Sequence, residues 1–119
     1  MVLVDSSVWI GHLRTASAEL RELLEGGLVL MHPFVIGELA CGSIKNRNRI
    51  LADLNELPLA VSATHEEVMG LLDRQKLWSK GIGWVDAHLI ASALLSDCRL
   101  WTLDARLLSA AASAKVKIR

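Results

Sequence analysis

The sequence predicts one α/β domain over residues 1–119, built on a central parallel β-sheet of about five strands with helices on both faces. Short β-branched or aliphatic runs alternate with longer stretches of helical periodicity, and a parallel strand pair needs such a crossover between its members. Glycines and prolines also stand between the runs, where helices must stop or start.

In chain order, VLV at 2–4 is the first strand and 6–14 the helix after it. SAELRELLE at 17–25 is helical text stopped by Gly26 and Gly27, and LVL at 28–30 is the second strand. Helical text fills 33–56 in two pieces: Pro33 suits a first turn, and Pro58 ends RILADLNEL before the run LAV at 59–61. A helix is expected over 64–79; Gly81 and Gly83 separate it from the next, over 85–96. LWTL at 100–103, a helix over 104–113 and a last VKI complete the alternation. No internal repeat, low-complexity segment or linker divides the chain.

Composition narrows the class. A hydrophobic content of 52% suffices for one core in 119 residues. The opening MVLVDSSVWIGHLR has no basic start and apolar run of the secretory kind, and no apolar stretch is long enough for a membrane span, so a cytoplasmic protein without a membrane partner is expected. Cys41 and Cys98 have no metal-ligand spacing and read as buried small hydrophobes in a reducing setting. Lys and Arg number 13 against 13 Asp and Glu, which removes bulk charge as an argument for a nucleic-acid partner and leaves only local patches.

The chemistry lies in the acids. In an open parallel sheet, ligands bind outside the carboxyl ends of the strands, and Asp5 and Asp104 follow VLV and LWTL directly. Within WVDAHLIASALL, a helical wheel puts Leu89, Ile90, Ala93 and Leu94 beside Asp86, with His88, Ser92 and Ser96 on nearly the opposite side. Glu38, in PFVIGELACG, has Phe34, Val35, Cys41 and Gly42 one turn away and no basic neighbour. Helix capping accounts for Asp5, Asp86 or Asp104 taken singly, but not for Glu38. If these carboxylates converge, their repulsion amounts to several kcal/mol at an effective dielectric of about 20, and divalent cations relieve it. Oxygen donors without a His or Cys cluster favour Mg²⁺ or Mn²⁺ over zinc.

The segments LVDSSVWI, FVIGELACG, WVDAHLIASALL and LWTLDARLL, in this order and spacing, resemble the PIN-domain nucleases, specifically the VapC-type toxins of bacterial toxin–antitoxin pairs. The similarity runs over essentially the whole chain. It implies a PIN-like three-layer α/β/α fold and metal-dependent endoribonuclease cleavage of RNA, with a cognate antitoxin as inhibitor and a homodimer as the assembly. By resemblance, Asp5, Glu38, Asp86 and Asp104 match the acidic quartet, the fourth member being the most variable in the family, and Ser7 matches the hydroxyl residue after the first acid. Leu103 stands where related sequences often carry a polar or basic residue.

For RNA phosphates, the sequence offers Lys45, Arg47 and Arg49 in SIKNRNR, with Arg14 and Arg106 close behind two of the acids. Arg74, Lys76 and Lys80 form a thinner set. A solvated helix face explains such charge runs equally well. His12, His32, His65 and His88 have no site spacing, and core packing is expected of Trp9 and Trp84, although an exposed Trp could stack a base or anchor a partner. Two other classes stay open. A phosphatase or receiver-like domain would use a phosphorylated Asp, often with a Lys after a late strand, where LWTLD has an acid instead. A partner-binding module would use its acids only as caps, which Glu38 does not fit.

Overall fold

Strand β1 (Val2–Val4) is the centre of the protein. In the computed structural model, which describes residues 1–119, it pairs in parallel with β2 (Val29–Leu30) on one side and with β3 (Arg99–Trp101) on the other. Leu3 sits opposite both Leu30 and Leu100, which fixes the register at the middle of the sheet. Successive strand side chains point to opposite faces, and Val2, Leu3 and Val4 are all buried, so both faces of the sheet are covered. Seven helices do the covering: α1 (Ser6–Arg14), α2 (Ala18–Glu25), α3 (Pro33–Ala40), α4 (Arg47–Asn55), α5 (His65–Arg74), α6 (Trp84–Leu95) and α7 (Ala105–Ser113).

The sheet has three strands, fewer than the five or so expected. The runs at 59–61 and 116–118 do lie alongside it, but each makes only an isolated bridge, Met31 to Leu59 and Leu100 to Ile118. In the first case the cause is visible. Pro58 has no N–H to donate, and beyond Ala60 the next N–H, that of Val61, donates to the Ser96 hydroxyl at 2.8 Å. Leu59 and Val61 are exposed and only Ala60 is buried, so an apolar run that reads as a core strand is here a sheet margin.

Three other expectations change. The helix expected over 64–79 ends at Arg74, and Lys76 and Ser79 then take positive φ values of 52° and 63°. Cys98 is buried, whereas Cys41, at the C-terminal end of α3, is exposed. In α6 the supposed polar stripe is not a solvent face: every residue from Ala87 to Ala93 is buried, His88 and Ser92 included. This helix lies between β3 and α5, so solvent reaches it mainly at its ends, where Trp84, Leu94 and Leu95 are exposed.

The caps set where each helix begins. Asp5 caps α1, His32 caps α3 with Pro33 in the first turn, Thr64 forms a capping box with Glu67 at α5, Gly83 precedes α6, and Asp104 caps α7. Parallel strands end on one edge and their helices begin there, so these helix starts gather along the carboxyl edge of the sheet.

Ser92 has a fully buried hydroxyl without a hydrogen-bond partner. An unsatisfied buried polar group costs roughly 1–3 kcal/mol. Ser92→Ala is therefore expected to stabilise the protein by about 1 kcal/mol in urea unfolding, and a loss of stability would show that the hydroxyl is satisfied in solution.

Candidate active site

Asp5 is the best-fixed acid. Its N–H donates to the Trp101 carbonyl at 2.9 Å, extending the β1–β3 ladder by one bond and holding the residue against the end of β3. The side chain is only 5% exposed. Its Oδ2 accepts from the Ser7 hydroxyl at 2.7 Å and from the Thr102 hydroxyl at 2.8 Å. Each hydroxyl then accepts a backbone N–H, Ser7 Oγ that of Leu103 and Thr102 Oγ1 that of Asp104, both at 3.0 Å. The ends of β1 and β3 are thus sewn together through one carboxylate oxygen.

Asp104 is exposed and caps α7, with Oδ1 accepting from the N–H groups of Arg106 and Leu107 at 2.9 and 3.1 Å. The capping expectation is correct for Asp5 and Asp104, yet it uses one oxygen of each: Asp5 Oδ1 and Asp104 Oδ2 take no part in the hydrogen bonds.

Asp86 is half-buried in the first turn of α6, with Oδ2 accepting the Gly83 N–H at 3.2 Å. Burial raises its carboxyl above the usual range; the Gly83 N–H opposes this, and the charges of Asp5 and Asp104 add to it. Glu38 lies on α3 with solvent access, and its carboxyl is also pushed up, first by partial enclosure and then by Asp5 and Asp86, against the effect of the Ser6 hydroxyl. All four predicted acids therefore share one electrostatic field. No lysine or arginine relieves it, because the ion pairs of the molecule, Lys117 with Asp97 and Arg119 with Glu19, lie elsewhere. The group is open: no three His, Cys, Asp or Glu side chains form a closed metal-binding cluster.

The predicted basic residues divide. Arg14 and Lys45 line a cleft of about 570 Å³ between α1, α3 and α4 that also contains Glu38, with walls of Ile10, Leu13, Ile44 and Ile50. Arg47 donates to the Ala40 carbonyl at 3.0 Å and so serves the C-terminal end of α3, while Arg49 is exposed on α4 outside that cleft. Arg74 lines a smaller cleft of about 350 Å³ between α5 and α6, which holds none of the acids of the quartet. Arg106 lies with its stem against Gly81, where an added Cβ would stand 2.8 Å from its Cδ.

Thr102 escaped the sequence reading, although it stands two residues before a strand-end acid as Ser7, assigned by resemblance, stands two residues after one. So did the row that the aromatic residues form. Trp9 packs in the core as expected, but Trp84 is 40% exposed and heads a row of rings with His65, His88, Phe34 and His32. Burial lowers the imidazoles of His32 and His88, and a neighbouring histidine lowers each further, His88 acting on His32 and His65 on His88.

A family model for the PIN domain matches residues 2–113. The chain is 49% identical over 122 residues to Ribonuclease VapC32 of Mycobacterium tuberculosis, found in two strains, spanning 99% of this chain and 96% of the relative. Its fold is similar to the crystal structure of PAE2754 from Pyrobaculum aerophilum, with a TM-score of 0.64 and 19% identity over 98% of this chain and 81% of the other.

Two outcomes test the geometry. Thr102→Val removes a donor from a buried carboxylate and is expected to cost about 2 kcal/mol in urea unfolding, largely recovered by Thr102→Ser. Glu38 and Asp86 have folded-state pKa values above their unfolded ones, so the stability linked to their protonation is full below the unfolded values and is lost as pH rises through the folded ones. Without divalent ions, the melting temperature should fall across that window, and Asp86→Asn should flatten the fall; an unchanged slope would contradict the assigned field.

Proposed function

The chain belongs to the PIN-domain family, as a VapC-type member, and from this premise we propose that it is a metal-dependent endoribonuclease, the toxin of a toxin–antitoxin pair restrained by a cognate antitoxin. One observation carries the reading: four carboxylates gather at the carboxyl edge of the sheet, where partial burial and then the charges of their acidic neighbours make Glu38 and Asp86 harder to ionise, with no cationic side chain in ion-pair contact. The donor set fits a hard divalent ion, Mg²⁺ or Mn²⁺, because it is all oxygen, and Asp5, Asp86 and Asp104 each keep an oxygen free of backbone and hydroxyl donors.

Asp5, Glu38 and Asp86 are the residues that would hold such an ion, with Asp104 supporting them from the end of β3. When bound, the ion supplies Lewis-acid polarisation of a phosphoryl oxygen and a water of lowered pKa. Ser7 and Thr102 act through Asp5: with both hydroxyls on Oδ2, its rotamer is fixed and Oδ1 is left with the available lone pairs. The Gly83 N–H does the same for Asp86. Arg14 and Lys45, in the cleft with Glu38, are positioned to take phosphates of the RNA strand, and Arg49 is a more distant contact. Arg47, the remaining candidate from SIKNRNR, is held by the Ala40 carbonyl at the end of α3.

No helix is long and apolar enough to cross a membrane. With RNA as its substrate, the protein would act in the cytoplasm. A homodimer is supported by the exposed apolar residues Val61, Leu94 and Leu95, which the Val61–Ser96 hydrogen bond brings together at one end of α6.

Asp86→Asn decides the assignment. Mn²⁺ should raise the melting temperature of the native protein and not that of the variant, and RNA cleavage should fall by roughly 100-fold or more, given that weaker outer-shell changes already cost about 10–100-fold. Equal metal shifts and equal cleavage in the two proteins would sink the reading. Expression should arrest growth, with relief by the small protein encoded next to it.

A further inference from the structure

The acids occupy part of the sheet's carboxyl edge, and a row of rings occupies another. His65 is the first residue of α5, Trp84 the first of α6 and Phe34 the second of α3, so three helix starts bring their aromatic side chains together. Ring centroids run from His65 to Trp84 at 5.2 Å, to His88 at 4.7 Å, to Phe34 at 4.7 Å and to His32 at 5.0 Å. Most of these are edge-to-face contacts in the favourable range. Within the row His88 and His32 are buried, whereas Phe34 is 38% and Trp84 40% exposed. The His32 Nδ1 accepts the Phe34 N–H at 2.9 Å, which fixes the start of α3 and hence the outer ring. The exposed rings are thus backed by packing, and little conformational freedom remains to be lost when something lands on them.

The row is continuous with the acid group. Glu38 lies one turn after Phe34 on the same side of α3, and Trp84 adjoins Gly83, whose N–H holds Asp86. We propose that Phe34 and Trp84, backed by His88, form a stacking site for a nucleobase next to the scissile phosphate. This rests on the ribonuclease reading above and adds to it how the strand is seated. A base is favoured over an apolar peptide because the surface presents flat rings rather than an aliphatic pocket, beside carboxylates arranged for phosphodiester chemistry. Stacking of this kind tolerates any base, since each has a π-face, so the site anchors the strand without reading its sequence.

The test compares a fluorescein-labelled oligoadenylate of roughly 12 nucleotides with a base-free strand of the same length, titrated in EDTA so that nothing is cut. The native protein should bind the oligoadenylate at least about fivefold more tightly. Phe34→Leu and Trp84→Leu keep apolar volume but remove the rings; each should bring the ratio towards one and leave base-free affinity unchanged, and Trp84→Phe should restore most of the preference. Equal binding of both strands by the native protein overturns the proposal, as does a preference that survives both leucine variants. So does a changed sedimentation mass in those variants with RNA preference intact, which assigns the row to a protein contact. Base-dependent binding without Mn²⁺-supported cleavage keeps the stacking site and removes the ribonuclease reading, while cleavage without base dependence does the reverse.

Discussion

One buried carboxylate oxygen organises this protein. Asp5 Oδ2 receives the hydroxyls of Ser7 and Thr102, and those hydroxyls receive the N–H groups of Leu103 and Asp104, so the ends of β1 and β3 close on a single acceptor. The strands are only three residues long, and a ladder that short gives little lateral stiffness by itself. Charge-assisted hydrogen bonds are about twice as strong as neutral ones, and this network sits where the ladder stops. The same bonds that finish the sheet set the position of an acid at its edge, so fold and site share their determinants.

A second constraint opposes the first. Partial burial makes Glu38 and Asp86 harder to ionise, and neighbouring charge adds to it, from Asp5 and Asp86 on Glu38 and from Asp5 and Asp104 on Asp86. A design for stability alone would place an arginine or an apolar residue there. The protein instead tolerates unpaired like charge beside a tightly packed β1 and α6. Stability is lost at the one place where chemistry is proposed to happen, as is common when sites need pre-set charge.

Much of this arrangement is legible in the sequence. Asp5 and Asp104 are marked by standing directly after strand text, and Glu38 by a polar group among apolar neighbours; these are local signals, readable within one turn or one strand. Sheet width is not local. LAV and VKI have strand composition, yet whether they pair depends on which partner donors remain, and Pro58 and the Val61–Ser96 bond divert the first of them. Thr102 was hidden for a similar reason, because its partner lies 97 residues earlier in the chain. The wheel drawn on α6 carries no information about solvent, because amphipathicity assumes a solvent side, and a helix held between a sheet and another helix has almost none. The ring row required knowing that three helices begin at the same edge.

Gly81 connects two parts of the molecule that look unrelated. Its φ of +77° lets the turn before α6 reverse direction, and its bare Cα leaves the space that the Arg106 stem fills. The turn and the arginine are therefore packed together: any side chain at Gly81 would put a Cβ 2.8 Å from the Arg106 Cδ and displace the stem. A turn with no chemistry of its own thus sets how closely an arginine of α7 can lie against the entry to α6, through one missing methyl group.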